Sequence, residues 1–126
     1  AVLALGAIGD GAAVKPLLEI LGGAARLKEK YRDDADVSRL RSAAAFALGM
    51  LGDTAAVPTL LGALRDAEVR VRQHADLALR RMSGRNLGFD ADAPETEREK
   101  VAKAWDALWA ARLRDPDAPP AEEQRE

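Results

Sequence analysis

The sequence repeats itself, and this repetition constrains the fold more than any other feature. Residues 1–21 laid on residues 44–64, an offset of 43, agree at twelve positions. A weaker third copy lies 31 residues further on, where the apolar pattern of the second copy returns at Ala75, Ala78, Leu79 and Met82. Repeats of this length are typical of chains built from stacked supersecondary units. We therefore expect a repeat architecture.

A Gly-Asp corner divides each of the first two copies into two apolar segments with helical spacing. Gly9 and Gly52 can adopt the left-handed conformation that ends a helix. Asp10 and Asp53 can then accept from the free N–H groups of the next helix, as N-caps do. The second segments carry one-sided apolar stripes, which are Val14, Leu17, Leu18 and Leu21 in one copy and Val57, Leu60, Leu61 and Leu64 in the other. The pattern predicts one helix pair per repeat.

The composition favours the same class of fold. Apolar residues make up 48% of the chain but aromatic residues only 4%, so the core must consist mainly of alanine, leucine and valine. Alanine and leucine are the best helix formers, whereas a β-sandwich would need more β-branched and aromatic residues. We expect an all-α fold.

The C-terminal part is expected to close the array. The third copy lacks the glycine corner and runs into a turn-rich connector that ends at Pro94, after which Thr96 and Glu99 match a capping box. A helix at about 96–112 would then place Val101, Trp105 and Leu108 on one stripe, with Trp109 beside it and core packing as the expected role. We predict a single domain at 1–112, an insertion at 22–36 and a disordered acidic tail at 113–126. Because the apolar pattern starts at once, we expect chain before Ala1.

The segments "ALGAIGDGAAVKPLLEIL" and "AFALGMLGDTAAVPTLLGALRDAEVRVRQHADLAL" resemble HEAT repeats of the short bacterial type, also found in phycobilin-lyase subunits. The resemblance covers residues 1–21 and about 37–84. It implies a right-handed α–α solenoid closed by a C-terminal capping helix. HEAT repeats often carry an Asp in a turn and an Arg at the start of the second helix. Asp66 and Arg72 match this pair, and Arg41 is the equivalent Arg one repeat earlier, so the implied role is bonding between repeats.

Three apolar residues form the first candidate partner-binding surface. Leu3, Phe46 and Leu77 each lie two residues before an expected core leucine, which places them about 160–200° away around the helix. An exposed apolar column would be a docking stripe for another protein. The alternative is that the column is buried against the insertion, the C-terminal helix or a second copy.

The insertion is the second candidate, because insertions in solenoids cluster on one face and often bind partners. It contains Tyr31, the single tyrosine, among mixed charges. The alternative is a solvated loop or helix extension.

An arginine cluster is the third candidate, formed by Arg65, Arg70, Arg72, Arg80, Arg81 and Arg85. A HEAT-like solenoid can hold DNA on such a strip, but the chain is acidic overall and no aromatic side chains interleave the arginines. An acidic protein partner or a solvated surface explains the cluster better. His74, the single histidine, lies among these charges, and without neighbouring ligands it is expected to be a surface residue rather than a metal ligand.

No catalytic motif is visible in the sequence. Cysteine is absent, and neither a nucleophile elbow, a zinc-protease motif nor a phosphate-binding loop is present. We therefore assign no catalytic residue, metal site or cofactor, and we expect no membrane span because no run approaches about 20 apolar residues. The compartment is left open, because a cysteine-free chain suits the cytoplasm and an oxidising compartment alike.

We expect a scaffold, an interaction module or a structural subunit, either homo-oligomeric or part of a larger complex. The resemblance implies one alternative, a lyase-like subunit that holds a chromophore-bearing protein. Nucleic-acid binding is a further alternative and is less favoured.

Overall fold

The computed structural model describes residues 13–31 and 33–114, and all regular structure in these two ranges is helical. The prediction of an all-α fold is confirmed. A short 3-10 turn at Thr54–Ala56 precedes the fourth helix. The helices are α1 (Val14–Gly22), α2 (Ala24–Lys30), α3 (Asp34–Leu51), α4 (Val57–Ala63), α5 (Val69–Ser83) and α6 (Glu95–Arg114). Leu3, Gly9 and Asp10 lie outside the described residues.

The helices form two layers. α3 and α5 pack side by side in one layer, while α4 packs against α1 and α6 in the other, and α1 also packs on α3. α3 and α5 run in the same direction, because Asp34 and Arg39 near the start of α3 line one groove with Val69 and Arg70 at the start of α5. This arrangement, in which successive helix pairs stack on each other, is a helical solenoid.

The corner between α3 and α4 has the geometry that its sequence predicts. Gly52 ends α3 in the left-handed conformation, with φ of 69°. The Asp53 carboxylate accepts a hydrogen bond from the Ala55 N–H at 2.9 Å and so caps the turn that leads into α4. Pro58 occupies the first turn of α4, where a missing N–H costs little.

The end of the array differs from two expectations. Gly84 ends α5 in the left-handed conformation, with φ of 73°, so the third copy keeps a glycine corner one residue later than the pattern placed it. The predicted capping box is not formed, because Thr96 is already the second residue of α6. The Glu99 carboxylate instead accepts from Arg65, in the turn that follows α4.

The core follows from the composition. Its largest fully buried side chains are Trp105 and a set of leucines from both layers, namely Leu17, Leu21, Leu48, Leu60, Leu64 and Leu79. Alanines fill the space between α3 and α5, where Ala44, Ala47, Ala75 and Ala78 are buried. The two helices approach so closely that a Cβ added at Gly49 would lie 2.7 Å from the Cα of Ala78. Small residues are therefore needed on this seam.

The predicted insertion is partly helical. α2 occupies Ala24–Lys30 and packs against α1 and α3. The last residues of the insertion belong to α3, whose first turn is capped by the Asp33 carboxylate accepting from the Ala35 N–H at 2.8 Å. Among the helices described here, none combines the length and hydrophobicity that a bilayer crossing requires.

Candidate functional site

Arg41 is buried at the edge where the loops of successive repeats meet. Its Nε donates to the carbonyl of Leu21 at 2.8 Å, in the last turn of α1, where helix carbonyls lack partners within the helix. Its two terminal nitrogens donate to the Asp66 carboxylate at 3.0 and 2.6 Å, a bidentate pair. Arg41 thus ties the end of α1 to the loop after α4.

Asp66 is held in its charged form by this contact. Burial alone would raise the pKa of its carboxyl group, but the hydrogen bonds from Arg41 and from the Glu68 N–H outweigh burial. The charges of Arg41 and Arg72 act in the same direction, so the pKa of Asp66 lies below its usual value. The 2.9 Å bond from the Glu68 N–H also shapes the turn that starts α5.

Arg72, one repeat later, makes a different set of contacts. Its guanidinium donates only to backbone carbonyls, those of Asp66 at 2.7 Å, Ala67 at 3.1 Å and Ala91 at 2.8 Å. It does not bond the Asp66 carboxylate, so the matched Asp–Arg pair is not a direct side-chain pair. Burial and the nearby positive charge of Arg98 lower the pKa of Arg72. We call Arg41, Asp66 and Arg72 the loop edge.

Two further members of the arginine cluster are engaged in ion pairs. Arg65 donates to Glu99 at 2.9 Å and to Asp106 at 2.7 Å, and these bonds tie the turn after α4 to α6 and raise the pKa of Arg65. Arg80 pairs with the buried carboxylate of Asp76 at 2.8 Å. The cluster is therefore divided among several contacts and does not form one continuous basic strip.

Asp76 is a buried carboxylate whose pKa is set by opposing effects of burial and of neighbouring donors. Burial raises the pKa of Asp76 above its usual value, although the charge and hydrogen bond of Arg80 and the indole N–H of Trp105 oppose the shift. Asp76 Oδ1 and Trp105 Nε1 both lack a hydrogen bond of standard geometry. Trp105 and Trp109 are buried, so neither is free to stack a ligand.

Large apolar side chains are exposed on the outer side of the α3–α5 layer. Phe46 is 43% exposed, Met50 36% and Leu77 48%. Phe46 and Leu77 were expected to share a column, and the structure exposes both. Met50 was not predicted, although it follows Phe46 by four residues and so lies on the same helix face.

These residues belong to two matching stripes on neighbouring helices. The α5 stripe is Arg70, His74, Leu77 and Arg81, and the α3 stripe is Arg39, Ala43, Phe46 and Met50. Within each stripe the spacing of i, i+4, i+7 and i+11 keeps the four residues within about 60° of the helix circumference. All eight side chains are exposed or partly exposed. We call this surface the ridge face.

His74 lies within the ridge face but is partly engaged with its own helix. Its Nδ1 lies 2.9 Å from the carbonyl oxygen of Arg70, one turn earlier. Its neighbours in the α5 stripe are arginine and leucine, and no carboxylate belongs to either stripe. Within residues 13–31 and 33–114 no group of three histidine, aspartate or glutamate side chains has the placement of a metal site.

A groove of about 410 Å³ borders the ridge face on one side. It lies between α5 and the loop that leads to α6, and its lining includes Leu77, Phe89, Asp90 and Asp92. The groove gives the ridge face an apolar edge, with two carboxylates on the opposite wall.

Tyr31 is separate from the ridge face. It ends α2 and is 37% exposed, with the Lys30 ammonium 5.7 Å from its ring. It precedes the first turn of α3, whereas Phe46 lies twelve residues along α3, a rise of about 18 Å. The structure therefore brings Phe46, Leu77, Arg70, His74 and Arg81 together and leaves Tyr31 apart.

Comparison with family models gives two matches. The model described as HEAT repeats matches residues 24–120, and the model described as PBS lyase HEAT-like repeat matches residues 1–23. The chain belongs to the HEAT-repeat family. HEAT repeats generally mediate protein interactions or act as scaffolds. No match was found among curated proteins or among solved structures.

Proposed function

We propose that this HEAT-repeat chain is a non-catalytic interaction module that binds a partner protein through the ridge face. The observation that carries the proposal is the grouping of Phe46, Met50 and Leu77 on two adjacent helices. Tyr31 is the remaining large apolar residue exposed in the described part of the chain. Clustered exposed apolar side chains mark interaction sites, whereas single ones need no explanation.

The shape of the surface supports the same function. Two parallel helices present side chains at matching positions, so the ridge face offers a rigid pattern whose backbone is already fixed by hydrogen bonds. Rigid presentation lowers the entropy cost of binding. The loop edge holds the two helices in register, and its residues have a structural role in the proposal.

The proposal is tested by comparing what co-purifies with two variants of the chain. Phe46→Glu with Leu77→Glu places two carboxylates on the ridge face, and we expect the partner recovered with the wild type to fall at least about tenfold, an effect of about 1.4 kcal/mol. Partners are identified by mass spectrometry after gentle purification. The matched control is Ala104→Glu with Ala107→Glu, which adds the same charges at exposed positions on α6.

Both variants must retain the helical circular dichroism of the wild type. Equal recovery of the same partner from wild type and from the Phe46/Leu77 variant would contradict the proposal. Recovery lost equally in both variants would also contradict it, because the effect would then not depend on the ridge face.

A second candidate is that the partner carries a bilin chromophore. The match of residues 1–23 to a PBS lyase HEAT-like repeat supports this candidate. Visible absorbance in the co-purified material, lost together with the partner in the Phe46/Leu77 variant, is the expected result. A partner without a chromophore would exclude it and leave the interaction function in place.

A further inference from the structure

The two stripes of the ridge face contain arginines and no carboxylate, although the chain as a whole has a net charge of −2. Among its eight stripe positions the ionised side chains are Arg39, Arg70 and Arg81, and no stripe position holds a carboxylate. The stripe positions taken alone thus have the opposite sign to the whole molecule, and carboxylates border them at the start of the two helices, where Asp34 and Glu68 line a groove with Arg70. A partner surface is expected to have complementary charge, because like charges across an interface repel each other.

Arg70 and Arg81 are available for such a partner. Both side chains are exposed, and within the described residues neither takes part in an ion pair. Their neighbours differ, since Arg39 pairs with Asp36 at 3.1 Å and Arg80 pairs with Asp76 at 2.8 Å. Arg70 and Arg81 are therefore the two charges on the ridge face that a partner can neutralise.

The positions of Arg70 and Arg81 indicate how long the part of the partner that contacts the ridge face must be. Arg70 and Arg81 are eleven residues apart on α5, a rise of about 16 Å, and Leu77 lies between them. Phe46 and Met50 lie on α3, whose axis is about 8–10 Å from that of α5. The apolar area is thus about two turns long and has a positive charge at each end on the α5 side.

The backbone of the ridge face selects the conformation of the partner. The described ranges contain no strand, and the N–H and C=O groups within α3 and α5 are used in their own helices. An extended peptide would find no sheet edge with which to pair its backbone. A helical segment satisfies its own backbone groups and presents apolar residues at i, i+3 and i+4.

The groove beside α5 restricts where the acidic residues of the partner can lie. Asp90 and Asp92 lie across it from Leu77, on the loop that leads to α6. Carboxylates of a partner placed over this loop would meet two like charges. Asp34 and Glu68 border Arg70 in the same way at the start of the two helices. The acidic flanks of the partner therefore lie directly over Arg70 and Arg81 and away from both groups of carboxylates, and this repulsion adds specificity of orientation.

We propose that the ridge face binds an acidic amphipathic helix, whose apolar stripe contacts Phe46, Met50 and Leu77 and whose flanking carboxylates pair with Arg70 and Arg81. This inference rests on the proposed function of the ridge face and names the chemistry of its partner.

The experiment uses the full chain and three synthetic helical peptides of about three turns, the length set by the rise between Arg70 and Arg81. The first peptide has a leucine stripe flanked by glutamates, the second has lysines in place of the glutamates, and the third has the composition of the first in scrambled order. Fluorescence anisotropy of labelled peptide measures the dissociation constants. We expect the glutamate peptide to bind at least tenfold more tightly than the other two, and more weakly as salt is added.

Charge reversal on the protein sharpens the test. Arg70→Glu with Arg81→Glu is expected to abolish the preference for the glutamate peptide and to favour the lysine peptide. Lys15→Glu with Lys103→Glu changes the net charge by the same amount at exposed positions away from the ridge face, and it is expected to leave the preference unchanged. Leu77→Glu is expected to weaken binding of the glutamate peptide at least tenfold.

Several results would overturn the inference. Equal binding of the glutamate and lysine peptides, or preference for lysine, would show a ridge face that binds helices without selecting acidic ones, and the interaction function would stand. Failure of all three peptides would overturn the acidic helix, while the co-purification experiment would judge the interaction function separately.

Two other occupants are also distinguished. Self-association of the wild type that Leu77→Glu abolishes would identify a second copy of the chain as the occupant. Salt-dependent binding of duplex DNA that needs Arg70 and Arg81 but tolerates Phe46→Ser would identify nucleic acid. Either result would contradict the acidic helix.

Discussion

Arg70 and Arg72 lie two residues apart on α5, and they have opposite surroundings. Arg72 is buried at the loop edge, and all three nitrogens of its guanidinium donate to carbonyl oxygens. Arg70 is exposed on the ridge face, and no ion pair within the described residues engages it. Arg41 and Arg39 on α3 show the same division, although Arg39 has an exposed partner in Asp36.

The difference shows that position on the helix, rather than residue type, decides whether an arginine is buried and bonded to the loops or exposed on the outer side of the layer. Two residues correspond to about 200° of rotation, so alternate arginines point to opposite sides of the layer. On the inner side the loops supply acceptors, and a buried guanidinium needs them because an unpaired buried charge is costly. On the outer side solvent replaces those acceptors, so a partner can use the charge.

Substitution of an arginine at the loop edge should lower the free energy of unfolding more than substitution of an arginine on the ridge face. Arg41→Met removes the guanidinium donors of the Asp66 carboxylate, which keeps only the Glu68 N–H, and the Nε donor of the Leu21 carbonyl. We expect the free energy of unfolding to fall by about 3 kcal/mol. Arg39→Met removes only an exposed pair and should cost less than about 0.5 kcal/mol. Urea denaturation of both variants measures the difference. Similar losses for the two would break the comparison.

The charge at the loop edge should also make stability depend on pH. Because the folded state lowers the pKa of Asp66, its charged form stabilises the fold above its unfolded pKa of about 3.9, and this contribution is lost as pH falls through the lower, folded value. We expect Asp66→Asn to destabilise by about 2 kcal/mol at neutral pH. The deficit relative to wild type should shrink in acid, as measured by urea denaturation between about pH 3 and pH 7.

Asp76 provides the matched comparison because its shift has the opposite sign. Its pKa is raised, so the wild type gains stability relative to Asp76→Asn as pH falls through the folded value toward about 3.9. Parallel pH profiles for the two asparagine variants would contradict the assignment of the two carboxylates.

The close contact between α3 and α5 should not tolerate an added side chain at Gly49. Gly49→Ala places a methyl group against Ala78, and we expect a net loss of about 1–2 kcal/mol after the gain in helix propensity. Gly62→Ala, on α4 with open space around it, should instead gain up to about 1 kcal/mol. Thermal unfolding of both variants checks the sign, and a stabilised Gly49→Ala variant would show that the helices can separate.

The smallest effect on stability is expected on the ridge face. Leu77→Gln keeps a good helix former at a position that is 48% exposed, so the free energy of unfolding should change by no more than about 0.5 kcal/mol. Urea denaturation measures this change. A loss above about 1.5 kcal/mol would show that Leu77 contributes to the core, in the range found for buried side chains.

Much of the fold could be predicted from the sequence, because helix ends and helix faces depend on residues close together in the chain. The Gly52-Asp53 corner and the helical stripes follow from local spacing, because helix ends need a left-handed residue and an acceptor for free N–H groups. The cap helix was less well placed, since Thr96 matched a capping box while Glu99 had a stronger partner in Arg65. Glu99 pairs with Arg65, which is 34 residues away in the chain, and local sequence does not contain such a contact.

The sequence by itself determined the helical repeat, the membership of the HEAT-repeat family and the column that includes Phe46 and Leu77. Only the tertiary structure decided that this column is exposed and that Met50 extends it. It also decided which arginines are bonded within the fold, namely Arg65, Arg72 and Arg80, whereas Arg70 and Arg81 have no ion pair within the described residues. Periodicity along one helix shows which residues share a face. Which face meets another helix or a loop depends on contacts between residues distant in the chain, and such contacts exist only once the repeats have stacked.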